Sequence, residues 1–219
     1  MGIYDEVAIK MSRLRLPDAT KLLSRAFWGD PFVKYLFPDE MERTTMTQKF
    51  FWLDIWHKLT TCEVSTTSSF RGIAIWCLYG EKSAEVEENA ANPTKRMPYI
   101  IGESPYLRLA EASRTLEKER KRIMYMPHCY LYLLGVEPGQ WGKGYGGLLI
   151  KPILERADEK GRPCYLISMR ESNLSFFDTY GFKIIQAKPL SKQGPFIWFM
   201  VREPVIRGYF LPMPSHAIE

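Results

Sequence analysis

From residue 7 to residue 201 the apolar positions switch repeatedly between a two-residue and a three-to-four-residue spacing. VAIKM (7–11) alternates like a short strand. Pro17 then opens a helix whose stripe is Ala19, Leu22, Leu23, Ala26 and Phe27. WGDPFVKYLFPDE (28–40) breaks that period and is expected to be a loop, aromatic at Trp28, Phe32, Tyr35 and Phe37. A second helix is expected over about 43–59, with Phe50, Phe51, Ile55 and Trp56 on its apolar side. Strand patterns follow at 62–66 and 72–79, and then a polar connection at 81–98. Residues 107–123 contain no Gly or Pro and predict a helix, with Glu117 and Lys121 able to pair one turn apart. HCYLYLLGV (128–136) is strand-like and apolar on both faces. The next helix runs to about Lys160 and stops at Gly161; Leu148, Leu149, Pro152, Ile153 and Ala157 form its expected stripe, and Pro152 should kink it. A buried strand (162–168), a short helix (173–180) and strands at FKII and 196–201 complete the order, followed by an aromatic, Pro-rich tail expected to pack on this or a neighbouring subunit. Helices and strands alternate without an internal repeat. The class is therefore α/β or mixed α+β on one sheet.

Composition changes this picture little. The 219 residues are 46% hydrophobic and 25% charged, ordinary for a globular chain. A net charge of +5 favours anionic ligands but lacks the dense basic tracts of a nucleic-acid binder. No apolar run is long enough to span a membrane, and MGIYDEVAIK has no basic-then-apolar signal pattern. Cys62, Cys77, Cys129 and Cys164 form no CxxC pair and are expected as free core thiols in a reducing, cytoplasmic setting. His57, His128 and His216 are too scattered for a zinc site, so no metal is expected.

One junction stands out. In VEPGQWGKGYGGLLI (136–150), four of the six positions from Gly142 to Gly147 are glycine, interrupted by Lys143 and Tyr145. Glycine loses the most chain entropy on folding, so four together call for an unusual backbone. After a strand and before a helix, such a stretch turns several N–H groups toward one point and makes an anion cradle. Each bond to a charged oxygen contributes about 1.5–3 kcal/mol. A Walker loop is excluded, because Gly144 follows Lys143 where Ser or Thr is needed. Gly142, Gly144 and Gly147 satisfy GxGxxG literally, but EPGQW separates them from the strand, and about 70 residues remain downstream where a dinucleotide fold needs most of its sheet.

A strand ending in VEP, then WGKGYG, then GLLI resembles the signature of the GNAT superfamily of N-acetyltransferases. YLIS and NLSFFDTYGF downstream fit as well, and the motifs together look like the subgroup that includes puromycin N-acetyltransferase. The resemblance covers residues 128–202. It implies a mixed, mostly antiparallel central sheet flanked by helices on both faces, and acetyl-CoA as ligand. Its pyrophosphate would lie on the amides of Gly142, Lys143, Gly144, Tyr145, Gly146 and Gly147. Its pantetheine arm would pair with the backbone of Leu134, Gly135 and Val136, with Gly135 marking a bulge, and Asn173 would touch the pantetheine end. Two positions depart from the family: Trp141 replaces the Gln or Arg before the first glycine, with Gln140 one place earlier, and Phe177 replaces the Tyr that protonates the departing thiolate.

The implied reaction is direct acetyl transfer to a primary amine of a small molecule or peptide. A thiol leaves at pH 7 at a cost of about 2 kcal/mol, whereas deprotonating an alkylamine costs about 4–5, so the base matters more than the acid. Alternation places His128, Tyr130 and Tyr132 on one strand face with Leu134 and Val136, and His128 titrates nearest neutrality. Tyr180, one turn from Phe177, is the substitute acid; Glu103 and Glu171 are lesser bases; Trp28 or Phe32 would line the acceptor pocket. The expected layout is one domain: 1–80 with the acceptor-side helices, 81–127 as a helical insertion, 128–202 for acetyl-CoA and 203–219 as a tail, with a homodimer possible and no nucleic-acid or membrane partner. Two alternatives stay open: an acyl-CoA-binding protein without catalysis, suggested by Phe177, and a nicotinamide-dinucleotide enzyme, suggested by GxGxxG.

Overall fold

The computed structural model describes residues 5–80 and 93–205. Most of the polar connection (81–92) and of the tail (206–219) lie outside the described residues.

Strand β1 (Ala8–Lys10) leads into helix α1 (Leu16–Ala26). Leu16, Ala19, Leu22 and Leu23 are buried along α1, as the stripe requires. The stretch expected as a loop contains a helix, α2 (Pro31–Leu36). Asp30 caps it by accepting the Phe32 N–H, and Pro31 presets the first helical φ, two local signals outweighed in the sequence by the lost period. Helix α3 (Glu40–Thr61) starts on an Asp39 cap and is longer than its apolar pattern. Trp56 is 44% exposed, so α3 presents Phe50, Phe51, Leu53, Asp54 and Ile55 to the interior instead.

Strands β2 (Glu63–Thr67) and β3 (Gly72–Tyr79) follow, then helices α4 (Met97–Ile101) and α5 (Glu103–Ile123). Strand β4 (His128–Val136), helix α6 (Tyr145–Glu159), strand β5 (Cys164–Ser168), helix α7 (Leu174–Thr179) and strands β6 (Lys183–Pro189) and β7 (Phe196–Arg202) complete the described elements. Helix α6 buries Leu149, Ile150, Ile153, Leu154 and Ala157; Pro152, expected in the stripe, faces solvent.

Among the described residues seven strands form one sheet in the order β1-β2-β3-β4-β5-β7-β6. Every pair is antiparallel except β4 with β5. Ile73, Ile75 and Leu133 face α1 to α4. Ala74, Trp76, Leu131, Leu166 and Met200 face α6 and α7. Helix α5 covers the β5–β7 part of the first face, with Ala112 and Leu116 against Tyr165, Ile197 and Phe199. Burying each of these large side chains stabilises the fold by about 1.5–3 kcal/mol. Among the described residues no helix is long and apolar enough to cross a membrane.

Three expectations need correction. Cys62 and Cys77 are not free thiols but a disulfide, joining the residue that ends α3, just before β2, to β3 with Cα atoms 4.6 Å apart; Cys129 and Cys164 are buried and form no disulfide. The bulge on β4 falls at Tyr132, not Gly135: Ile75 opposes Leu133 while Trp76 opposes Leu131, which leaves Tyr132 as the extra residue. Gly135 is glycine for another reason, since a Cβ there would collide with Leu23 of α1. The bulge also breaks the alternation along β4. Tyr132 and Leu133 both pack toward α3, so Leu134 points to the opposite face from Tyr132 instead of sharing it.

Candidate active site

Strands β4 and β5 pair for only three residues, Cys129–Leu131 against Cys164–Leu166. Beyond that point they separate. The antiparallel ladder on the other side of β4 shows which of its groups face the gap. Glu137 donates its N–H to the Arg71 carbonyl of the β3 edge at 2.8 Å, so positions 137, 135 and 133 bond toward β3. Leu134 and Val136, the alternate positions, therefore turn their N–H and C=O toward the gap. An extended, amide-containing chain can add there as a strand would.

The glycine loop stands at the wide end of the gap. Arg25 of α1 holds its first residue, Glu137, through two bonds of 2.6 and 2.7 Å. The Trp141 indole N–H donates to the Val136 carbonyl at 3.0 Å, folding the loop back on the strand. Lys143 Nζ donates to the Gln140 side-chain oxygen at 3.1 Å. Gly142 and Gly144 have φ of +75° and +87°, which side chains disfavour. The first intrahelical bond of α6 runs from the Leu148 N–H to the Gly144 carbonyl, so the amides of Tyr145, Gly146 and Gly147 have no helical acceptor. Gly146 and Gly147 serve packing: a Cβ on the first would meet Phe176 at 3.0 Å, and one on the second would collide with the Tyr180 hydroxyl. Free amides, the positive end of the α6 dipole and Lys143 together suit a diphosphate.

A cavity of about 590 Å³ opens from the gap toward α3 and α5. Leu131–Leu134 of β4 and Leu166–Arg170 after β5 line its throat, with Asn173 and Phe177. Its far wall is one face of α5, where Tyr106, Leu109, Ser113, Leu116, Glu117 and Arg120 recur at helical spacing. Helix α3 contributes Phe50, Phe51, Asp54, His57 and Lys58.

Asp54 is the acidic group most deeply placed in this cavity. It is 7% exposed; one carboxylate oxygen accepts the Tyr132 hydroxyl at 2.8 Å, and the other, Oδ2, is buried without a partner. Burial raises its pKa above the ordinary carboxylate value, opposed by Lys58, by the Tyr132 bond and by His57. Lys58, one turn on, lies 4.1 Å from the Tyr132 ring centre. Burial, Asp54 and Tyr130 hold the Tyr132 phenol well above its usual range. Sequence reasoning passed over Asp54; the available signal was a carboxylate set among Phe50, Phe51 and Ile55 on a buried helix face.

The residues expected at the site are dispersed. Tyr130 and Tyr132 line the cavity, as do Leu134, Asn173, Phe177 and Phe32. His128 does not. It is 1% exposed, with both ring nitrogens occupied. Nδ1 lies 2.7 Å from the Met126 carbonyl, which can only accept, so Nδ1 carries the proton and Nε2 accepts from Arg120 at 3.1 Å. Burial and the neighbouring Arg120 lower its pKa, against the Met126 bond, and keep it neutral. Tyr180 turns onto Gly147 and away from the cavity lining. Trp28 lies under the Arg43 guanidinium at 5.4 Å, also outside the lining. Glu103 and Glu171 are exposed.

No family model matches the chain. It is 27% identical over 199 residues to an uncharacterized N-acetyltransferase of Schizosaccharomyces pombe, covering 85% of this chain and 78% of that one. A crystal structure of a histone acetyltransferase HPA2 and related acetyltransferase from Corynebacterium glutamicum superposes with a TM-score of 0.68 at 17% identity, over 92% of this chain and 97% of that one. The PaiA N-acetyltransferase of Thermoplasma acidophilum, solved in complex with coenzyme A, superposes with a TM-score of 0.54 at 13% identity, over 91% and 99%. The mixed, mostly antiparallel sheet with helices on both faces is thus the GNAT-type fold.

Proposed function

We propose that the chain is an acetyl-CoA-dependent N-acetyltransferase of the GNAT superfamily that acetylates a primary amine, of a small molecule rather than a protein. The observation that carries this reading is the opening between β4 and β5 beside the uncommitted amides of the glycine loop. The motifs GVEPGQWGKGYG and NLSFFDTYGF favour the puromycin N-acetyltransferase-like subgroup. The name of the yeast relative and the coenzyme A complex of the Thermoplasma structure agree with the reading.

Acetyl-CoA supplies the activated acyl group. The amides from Gly142 to Gly147 hold its diphosphate, and Leu134 and Val136 hold the pantetheine arm through main-chain bonds. This binding aims the thioester at the Tyr132 bulge. A main-chain N–H of the Leu134–Val136 stretch donates to the carbonyl oxygen as charge builds on it. The amine enters from the α3–α5 side. The Asp54 carboxylate takes its proton, directly or through water, while the Tyr132 bond orients it. A carboxylate whose pKa is raised toward neutrality is the better proton acceptor for an amine. Phe177 donates nothing to the leaving thiolate, which at a reference pKa near 8.5 departs without a dedicated acid at a cost of about 2 kcal/mol. The largely apolar cavity suits a small acceptor with an apolar body.

Titration calorimetry with coenzyme A and with NADH tests the donor site: coenzyme A should bind and NADH should not. Thiol release from acetyl-CoA over a panel of primary amines tests transfer. Binding of coenzyme A with no thiol release for any amine would replace this reading with that of a silent acyl-CoA-binding protein.

A further inference from the structure

The α5 end of the cavity carries polar groups that the transfer chemistry does not use. Tyr79 of β3, Tyr130 of β4 and Ser113 of α5 line it, and among the described residues none of their hydroxyls has a hydrogen-bond partner. Ser113 is exposed, whereas Tyr79 and Tyr130 are half-buried, and hydroxyls unpaired in a cavity wall can take a ligand.

The rings that carry two of them are held rigidly. The Arg120 guanidinium lies 3.7 Å over the Tyr79 ring, and the His128 ring stacks on it at 4.9 Å. Arg120 is fixed in turn by two bonds to Glu117, at 2.6 and 2.9 Å, and by His128 Nε2. This arrangement gives neutral His128 a role: it braces Arg120 and Tyr79. Tyr130 is wedged between the rings of Tyr132, at 6.0 Å, and Tyr165, at 5.3 Å. A group fixed before binding loses little entropy when the ligand arrives.

The charged groups that α5 presents at this end are already paired. Arg120 bonds to Glu117 and His128, Glu117 also meets Lys121, and phenols are protonated at neutral pH. What remains is a set of neutral groups that both donate and accept.

Resting on the transferase reading above, we propose that Tyr79, Tyr130 and Ser113 form a subsite for an uncharged hydroxyl group at the far end of the acceptor amine. The rings of Tyr130 and Tyr132 lie 6.0 Å apart, so the hydroxyl lies about one ring's length from the Asp54–Tyr132 amine position. A rigid, ring-bearing amine with its hydroxyl opposite the amine-bearing arm has this span.

The test is calorimetric binding, with and without coenzyme A, of 2-phenylethylamine, its para-hydroxyl counterpart and its para-carboxylate counterpart. The hydroxyl compound should bind tighter than the unsubstituted amine by about tenfold or more, since a site built to bond a hydroxyl penalises its loss. Tyr130→Phe and Tyr79→Phe should each reduce that ratio several-fold and leave the affinity for the unsubstituted amine unchanged; Ser113→Ala should reduce it less. Equal binding of the first two amines, tighter binding of the carboxylate, a ratio untouched by both Phe variants, or no amine binding at all would overturn the subsite. Because binding is read without turnover, these outcomes are separate from a failure of coenzyme A to bind, which sinks the transferase reading instead.

Discussion

At the scale of single residues the proposed chemistry rests on a buried carboxylate. Asp54→Asn keeps the shape and can still accept the Tyr132 hydroxyl. It should lower kcat/KM by about 10²- to 10⁴-fold, the usual contribution of a proton acceptor, while coenzyme A binding measured by calorimetry stays unchanged. In the wild type, kcat/KM should fall on the acid side at a pH above that of an ordinary carboxylate, because burial raises the Asp54 pKa. The stability sign is opposite to the usual salt-bridged Asp. With the folded pKa above the unfolded one, the contribution of Asp54 is complete below the unfolded pKa and is lost as pH rises through the folded one. Asp54→Asn should therefore unfold at equal or higher denaturant concentration at neutral pH. His128→Ala should behave in the reverse way. It leaves a buried Arg120 bond unmade, so urea unfolding should show a loss of about 1–3 kcal/mol, with the pH profile of transfer unmoved. An acid-side limb that disappears in His128→Ala would return the base to His128. The type of a residue and its strand were legible in the sequence here. Its partners were not, since Arg120 reaches His128 from a different element.

At the scale of elements, the four clustered glycines look alike in the sequence and serve two ends in the fold. Gly142 and Gly144 are needed for left-handed φ, whereas Gly146 and Gly147 make room for Phe176 and Tyr180. Gly135 belongs with the second kind. Gly135→Ala should destabilise the protein by about 1–3 kcal/mol in urea, because the added methyl has to displace Leu23 from a closely packed helix–sheet contact. Gly142→Ala meets open space, so its cost should be confined to backbone strain of about 1–2 kcal/mol. Coenzyme A affinity should fall for Gly142→Ala and hold for Gly135→Ala. Helix α2 and the Tyr132 bulge show where pattern reading stops. A six-residue helix spans too little sequence for a period to emerge, and a bulge shifts the strand alternation by one without any residue announcing it.

At the scale of the whole molecule, two features tie distant segments together. The first is the proposed donor site, assembled from β4, the glycine loop and the α7 start; coenzyme A at a hundred times its Kd should stabilise the fold by about 2.7 kcal/mol, visible as a rise in Tm. The second is the Cys62–Cys77 disulfide, which joins the end of α3 to β3, fifteen residues on. Closing a loop of that length is worth at most about 3 kcal/mol. Reduction should lower Tm by less than that bound implies, because β2 and β3 are already paired by main-chain bonds. By itself the sequence determined the order of helices and strands and the glycine junction between β4 and α6, since periodicity and backbone permissiveness are properties of neighbours along the chain. Only the tertiary structure decided that β5 leaves β4 after three pairs, that Asp54 reaches Tyr132 across 78 positions, and that Cys62 meets Cys77. Those depend on how packed layers meet, and the energies that set them are shared among residues no local window contains.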